Sequence, residues 1–303
     1  MPDVVQVREL RKQYGEVLAV ADVSFDVSEG EIFGMVGPNG AGKTTTIECI
    51  EGLRRPDGGT IRVLGEDPSN RERVAERIGV QLQESALPPH VHVDEALRLF
   101  ASFYEHSTDV DELIDRLGLD EKRSARFSKL SGGQKQRVFI ALALVSQPQL
   151  VFFDELTTGL DPQARRSMWD LVREVRDAGC TVVLTTHSME EAERLCDRVL
   201  IIDHGNVVAL DTPAALVGSL GIERRLAFTL PEGTAVPSLD GTGVVERVEQ
   251  NGSRVVVYGR GTRFASTVVA ALEDAGIEFL DLRTEQPNLE DVFLTLTGRE
   301  MRD

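Results

Sequence analysis

The sequence predicts an α/β chain built on a parallel sheet and followed by a smaller α+β unit. Three observations carry this. Short strand-like runs recur at Ile32–Val36, Leu150–Phe153 and Thr181–Thr186, and the first two are unbroken enough to be buried on both faces. Each leads into a stretch with helix-start signals, the alternation expected of parallel sheets. Beyond about residue 224 the pattern changes to a hairpin with two further helices.

Taken in order, Val23–Val27 has period two and ends in the turn Ser28-Glu29-Gly30, before the strand Ile32–Val36. From about residue 84 to 146 the period is helical, with Ala96, Leu97, Phe100, Leu113 and Leu117 and the run Val138–Val145. Asp161-Pro162 is an N-cap followed by a first-turn proline. The helix it opens has the stripe Met168, Leu171, Val172, Val175. Ser188 and Glu191 have the spacing of a capping box. Two strands, Val199–Ile202 and Val207–Leu210, flank a turn at Asp203–Asn206.

Gly218, Ser219 and Gly221 mark a boundary, placing one domain at 1–218 and a second at 224–303. In the second, strands at 244–249 and 254–258 join through Asn251-Gly252, a strong hairpin signal. A helix over 266–274 stops at Gly276. A strand over 277–283 follows, then a helix opened by Pro287-Asn288 with the stripe Leu289, Val292, Phe293, Leu296.

Lys and Arg total 33 against 50 Asp and Glu, a net charge of −17 in 303 residues. That argues against nucleic acid as a partner and against broad docking on anionic lipid. A 41% hydrophobic content supplies a core. The longest apolar run, Val138–Val145, is far short of the roughly 18 residues of a spanning helix. Cys49, Cys180 and Cys196 are scattered and read as reduced thiols.

Chemistry concentrates in three places. Gly37-Pro38-Asn39-Gly40-Ala41-Gly42-Lys43-Thr44, with Thr45 next, lies between a strand and a helix-compatible stretch. It fits G-x-x-x-x-G-K-[ST], a loop whose backbone N–H groups surround phosphate oxygens. In such a loop Lys43 reaches the β- and γ-phosphates and Thr44 ligates Mg²⁺. Asp154 and Glu155 end an apolar strand; Asp154 reads as a Mg²⁺ carboxylate and Glu155 as the base for an attacking water. Ser131-Gly132-Gly133-Gln134 opens a helix, with Ser131 as N-cap, and offers a second anion site.

The order of these motifs, with Leu130–Arg137 and Thr158-Gly159-Leu160-Asp161, resembles ABC-type ATPases over about residues 4–218. The resemblance implies a RecA-like P-loop core with an antiparallel β subdomain and a helical subdomain. It implies ATP and Mg²⁺ as cofactors, and Ser131 and Gly133 on the γ-phosphate held by a second, head-to-tail subunit. It makes Gln83 the residue that senses Mg²⁺ and faces a membrane partner, with Gln81 as the alternative. His187 matches the switch histidine at the γ-phosphate, and Tyr14 the aromatic under adenine. It also implies separate permease subunits and a place on the cytoplasmic face of the cell membrane.

One position departs from the family. Leu156 stands where proline usually follows the glutamate, so a fixed φ is lost while both acids remain. The tail Asn288–Leu294 is similar to that of bacterial drug- and antibiotic-exporter ATPases of the daunorubicin-resistance type, which points to efflux. Two other readings compete. A soluble ABC-type ATPase acting on DNA or ribosomes predicts a long coiled coil, a second cassette or a basic surface. A weakly hydrolysing regulatory module is motivated by Leu156 alone, and phosphate release separates it from an enzyme.

Overall fold

The computed structural model describes residues 2–82, 86–219, 224–231, 233–237, 239, 242–285 and 287–298. They divide into two compact units, the first running to Ala214 and including the residues from Leu296, the second covering Ala215–Thr295.

The first unit opens with β1 (Asp3–Tyr14) and β2 (Val17–Ser28), then β3 (Ile32–Val36), α1 (Lys43–Ile50), β4 (Gly58–Val63), α2 (Arg71–Val74) and β5 (Ile78–Gln81). The helical stretch resolves into α3 (Val93–Ala101), α4 (Val110–Arg116) and α5 (Gly132–Leu144). Then come β6 (Leu150–Asp154), α6 (Pro162–Asp177), β7 (Thr181–Thr186), α7 (Met189–Leu195), β8 (Arg198–Asp203) and β9 (Asn206–Asp211), and α8 (Pro213–Ser219) runs across the division.

Two sheets form from these strands. β2-β1-β4 is antiparallel, and β5-β6-β7-β3-β8-β9 is parallel except for the β8–β9 hairpin. That hairpin turns at His204-Gly205, both at positive φ, as a two-residue turn with the right twist requires. β3, β6 and β7 are buried along their whole length, and the first two accordingly read as unbroken runs. One core joins Val5, Val7, Phe25 and Val63 of the antiparallel sheet to Ile47 of α1 and to Phe33, Met35, Phe152 and Leu200 of the parallel one. The Phe25 and Phe33 rings stack at 5.2 Å.

Parallel register sets the site. Val36 pairs with Thr186, Asp154 with Thr185, and Gln81 with Phe153. The last residues of β3, β7, β6 and β5 therefore stand side by side at one edge, where open α/β sheets bind ligands.

Local signals were mostly kept, with one correction at α7. Asp161 caps α6 through Gln163 N and Ala164 N, and Met168, Leu171, Val172 and Val175 are all buried. Ser188 does cap α7, through Glu191 N. The Glu191 carboxylate, however, accepts from Trp169 Nε1 at 2.9 Å instead of closing the box. A buried indole N–H needs an acceptor, and that demand takes Glu191 away from the cap.

The second unit holds β10 (Arg224–Thr229), β11 (Val245–Asn251), β12 (Arg254–Gly259), α9 (Phe264–Asp274), β13 (Leu280–Glu285) and α10 (Leu289–Thr297). Its antiparallel sheet has the order β11-β12-β10-β13. Phe264, Val268 and Leu272 of α9 pack on Leu226, Phe228, Val255 and Val257. β10 has no counterpart in the sequence reading, although it is a central strand. In α10, Leu289, Val292 and Phe293 are buried, but Leu296 is 49% exposed, so the core-facing stripe ends one turn early. Among the described residues no helix is long and apolar enough to cross a membrane.

Candidate functional site

The loop between β3 and α1 is shaped by close backbone approach. A Cβ at Gly37 would sit 2.1 Å from the Ile202 carbonyl oxygen, and one at Gly42, where φ is 101°, 2.4 Å from that of Ala19. Only glycine fits either place. Pro38, Asn39, Gly40 and Ala41 lie between them, and Lys43, Thr44 and Thr45 form the first turn of α1.

Lys43 is 5% exposed and folds back over this loop. Its Nζ donates to the carbonyls of Gly37 at 2.7 Å and Pro38 at 3.2 Å. Glu155 Oε1 lies 3.7 Å away. Burial pushes the Lys43 ammonium below its ordinary pKa, opposed by the charges of Glu155 and Asp154.

Glu155 is the most constrained residue of the edge. Its φ is 50°, a region that costs a non-glycine residue about 1–2 kcal/mol. Its N–H donates to Thr185 O at 3.1 Å and Thr185 Oγ1 at 3.2 Å. On the carboxylate, Thr158 Oγ1 donates to Oε2 at 3.1 Å, and His187 Nδ1 lies 3.3 Å from the same oxygen. His187 follows β7 directly, and its side chain is a third exposed.

Asp154 is buried at the end of β6 and accepts from Thr185 Oγ1. Burial raises its carboxyl above the usual range, and the hydrogen bond from Thr185 works against that. A buried carboxylate at the strand end, with the Thr44 hydroxyl at the start of α1, is a donor set suited to Mg²⁺, which takes one or two carboxylates and completes its shell with phosphates and water. Among the described residues no cluster of three or more His, Cys, Asp or Glu forms a cage for a metal by itself, so this ion would need the nucleotide.

Ser131 caps α5 as read, and the cap is reciprocal. Ser131 Oγ accepts from Gln134 N at 3.3 Å, while Ser131 N donates to Gln134 Oε1 at 3.0 Å. Gly132 and Gly133 form the first turn, close to Leu160 and Ala164. Among the described residues, no hydrogen bond or ion pair joins Ser131–Gln134 to the Gly37–Thr45 loop of the same chain.

Tyr14 ends β1, 39% exposed, with Lys12 Nζ and Arg54 Cζ 5.5 and 5.4 Å from its ring centroid. Gln83 lies outside the described residues. Gln81, its alternative, ends β5 beside the acidic end of β6, buried, with Nε2 donating to Leu82 O at 2.7 Å.

The edge therefore joins Lys43, Asp154 and Glu155, all buried, with the partly exposed His187 and, in the first turn of α1, the exposed Thr44. Thr158 and Thr185 belong to it too, and sequence reasoning missed both. Thr158 is held by a tight turn from Glu155, its N–H donating to the Glu155 carbonyl at 3.2 Å. Thr185 is placed by the β6–β7 register, which no local pattern reveals.

Comparison with known proteins identifies the family. Residues 20–158 match the family described as ABC transporter. The chain is 42% identical to the Nod factor export ATP-binding protein I of Paraburkholderia xenovorans, covering all of both chains. It is 40% identical to the Nod factor export ATP-binding protein I of Rhizobium sp. N33, covering 98% of each. Among solved structures, an ATP-binding subunit of an ABC transporter superposes with TM-score 0.65 at 30% identity, over 72% of this chain and 93% of that one. A dimeric, post-hydrolysis ATP-binding cassette bound to ADP and Pi, MJ0796, gives TM-score 0.62 at 25% identity, over 69% and 98%. With whole-length identity and the nucleotide-binding cassette fold in agreement, the chain belongs to the ABC transporter family, as an ATP-binding subunit of the kind that hydrolyses ATP.

Proposed function

We propose that this subunit drives export of a lipophilic or drug-like substrate through separate membrane subunits, with Glu155 as the base of its hydrolytic site. The observation that carries the reading is the cluster at one sheet edge. Lys43 opens α1 after β3, Asp154 ends β6 with Glu155 next, and His187 follows β7, so three neighbouring strands bring four titratable groups to one edge, the arrangement of a ligand site.

The loop from Gly37 to Thr45 surrounds the phosphates with backbone N–H groups, and Tyr14 supports the base. Lys43 leaves its own loop carbonyls and pairs with the β- and γ-phosphates. Thr44 and Asp154 would hold Mg²⁺, which when bound would neutralise charge on the phosphates, and the family resemblance gives Gln83 the part of sensing it. Glu155 takes a proton from the water that attacks the γ-phosphorus. His187 and Thr158 orient that carboxylate, and His187 turns toward the γ-phosphate.

Two copies pairing head to tail bring Ser131, Gly132, Gly133 and Gln134 of one chain onto the nucleotide of the other. The dimeric state of the MJ0796 cassette supports such pairing. Export is supported by relatives named for Nod factor export that match from end to end, second unit included. The drug-like cargo is favoured by the Asn288–Leu294 tail. The subunit then sits on the cytoplasmic face of the membrane, held by its permease.

The test is co-purification of the chain with its membrane partner and reconstitution in vesicles. ATP-driven substrate movement that stops in a Glu155→Gln complex is the expected result. A chain that turns over ATP at full rate and never associates with a membrane protein would leave the soluble-ATPase reading standing instead.

A further inference from the structure

A residue in the left-handed region keeps that conformation only where its neighbours over-determine it. On the upstream side of Glu155 this is done by β7, through the hydrogen bonds from Glu155 N to Thr185. On the downstream side stands Leu156, whose φ no ring fixes. Its side chain is 4% exposed, and its carbonyl accepts from Gln136 Nε2 at 2.8 Å. Gln136 lies in α5, one turn beyond the Ser131–Gln134 cap.

We propose that Gln136 is a positioning residue, which holds Glu155 in place through the Leu156 carbonyl and ties that carboxylate to the Ser131 end of α5. The inference rests on Glu155 being the base. Gln136 acts at the Leu156–Thr157 peptide, one residue beyond the strained one. This hydrogen bond anchors the segment just after Glu155 from its carbonyl side, where a proline at 156 would have fixed φ covalently. The restraint comes from the helix whose first turn is assigned to the partner's nucleotide, so a displacement of α5 reaches Glu155 along a single side chain. Each chain thereby links the phosphate end of one site to the base of the other.

The series Gln136→Ala, Gln136→Glu and Gln136→Lys tests this in the full chain. Glutamate keeps the shape and loses the donor, whereas lysine keeps a donor of similar reach. Steady-state ATPase kinetics, nucleotide binding and thermal melting are measured together. The alanine and glutamate variants are expected to lose about three- to tenfold in kcat, the worth of one neutral hydrogen bond. KM and ATP affinity stay within about twofold, and lysine recovers most of the rate. In single-turnover assays on a Glu155→Gln background, Gln136→Ala changes nothing further. A parental kcat in Gln136→Ala overturns the link, as does an equal loss in the Glu155→Gln background. If Glu155→Gln alone hydrolyses at the parental rate, the base assignment falls first and takes this inference with it. A silent Gln136 series beside an inactive Glu155→Gln sinks only the link.

Discussion

Glu155 carries the most weight of any residue, because its backbone strain and its carboxylate partners all converge on one oxygen pair. Replacing it with glutamine keeps shape and removes the proton acceptor. Glu155→Gln should bind ATP normally while hydrolysis falls by roughly 10²–10⁴-fold, as phosphate-release assays would record. Glu51 behaves differently. It is buried beside a 240 Å³ cavity, both carboxylate oxygens lack a hydrogen-bond partner, and burial pushes its pKa up to about 8, with Asp154 and Glu48 adding to the rise. Folding thus retains a proton that the unfolded chain has lost. Stability is greatest below the ordinary carboxyl pKa and declines, by up to about 1.4 kcal/mol per pH unit, until about pH 8. Glu51→Gln should flatten that slope and raise the melting temperature at pH 8 more than at pH 5; parallel pH–melting curves for both chains would refute this. Lys43, Asp154 and Glu155 were legible because motif and strand end coincide. Thr185 and Gln136 were not, since each acts through a partner about 20 to 30 residues away.

Among the elements, α5 has two faces of meaning. Its Ser131–Gln134 cap is read directly from the sequence, while its assignment to another copy's nucleotide needs a dimer to test. A Lys43→Ala chain mixed with a Ser131→Arg chain gives one composite site with both defects and one with neither. ATPase activity absent from each mutant alone should return in verified mixed dimers, and its absence there would count against head-to-tail pairing. Helix ends were the most legible elements, because Asp161 and Ser188 signal by local chemistry. Where that failed, a tertiary demand had intervened, as when Trp169 claimed Glu191. β10 escaped because Arg224-Arg225 masks its alternation. Only Leu226 and Phe228 face the core, and three strands of distant sequence are needed to show why.

At the scale of the molecule, every residue of the phosphate-handling edge precedes Ala215, while the second unit has a core of its own around Phe228, Val257 and Val268. A chain ended after Ser219 should still bind ATP. Weaker ATP-dependent dimerisation by light scattering, or weaker transport in the reconstituted complex, is the expected cost. A truncated chain normal in both would make the second unit a passenger.

The strand order of the central sheet has a consequence for biosynthesis. β3 lies between β7 and β8, so the strand that carries the phosphate loop has no neighbour in that sheet until about 150 further residues have been made. At about 5–20 residues per second, that is a wait of roughly eight to thirty seconds on the ribosome. The antiparallel sheet, by contrast, has all three of its strands once Val63 is made. During that interval β3 is an apolar strand without a partner, and the nascent chain is most exposed to misassembly while the segment destined for the nucleotide is still waiting to be enclosed.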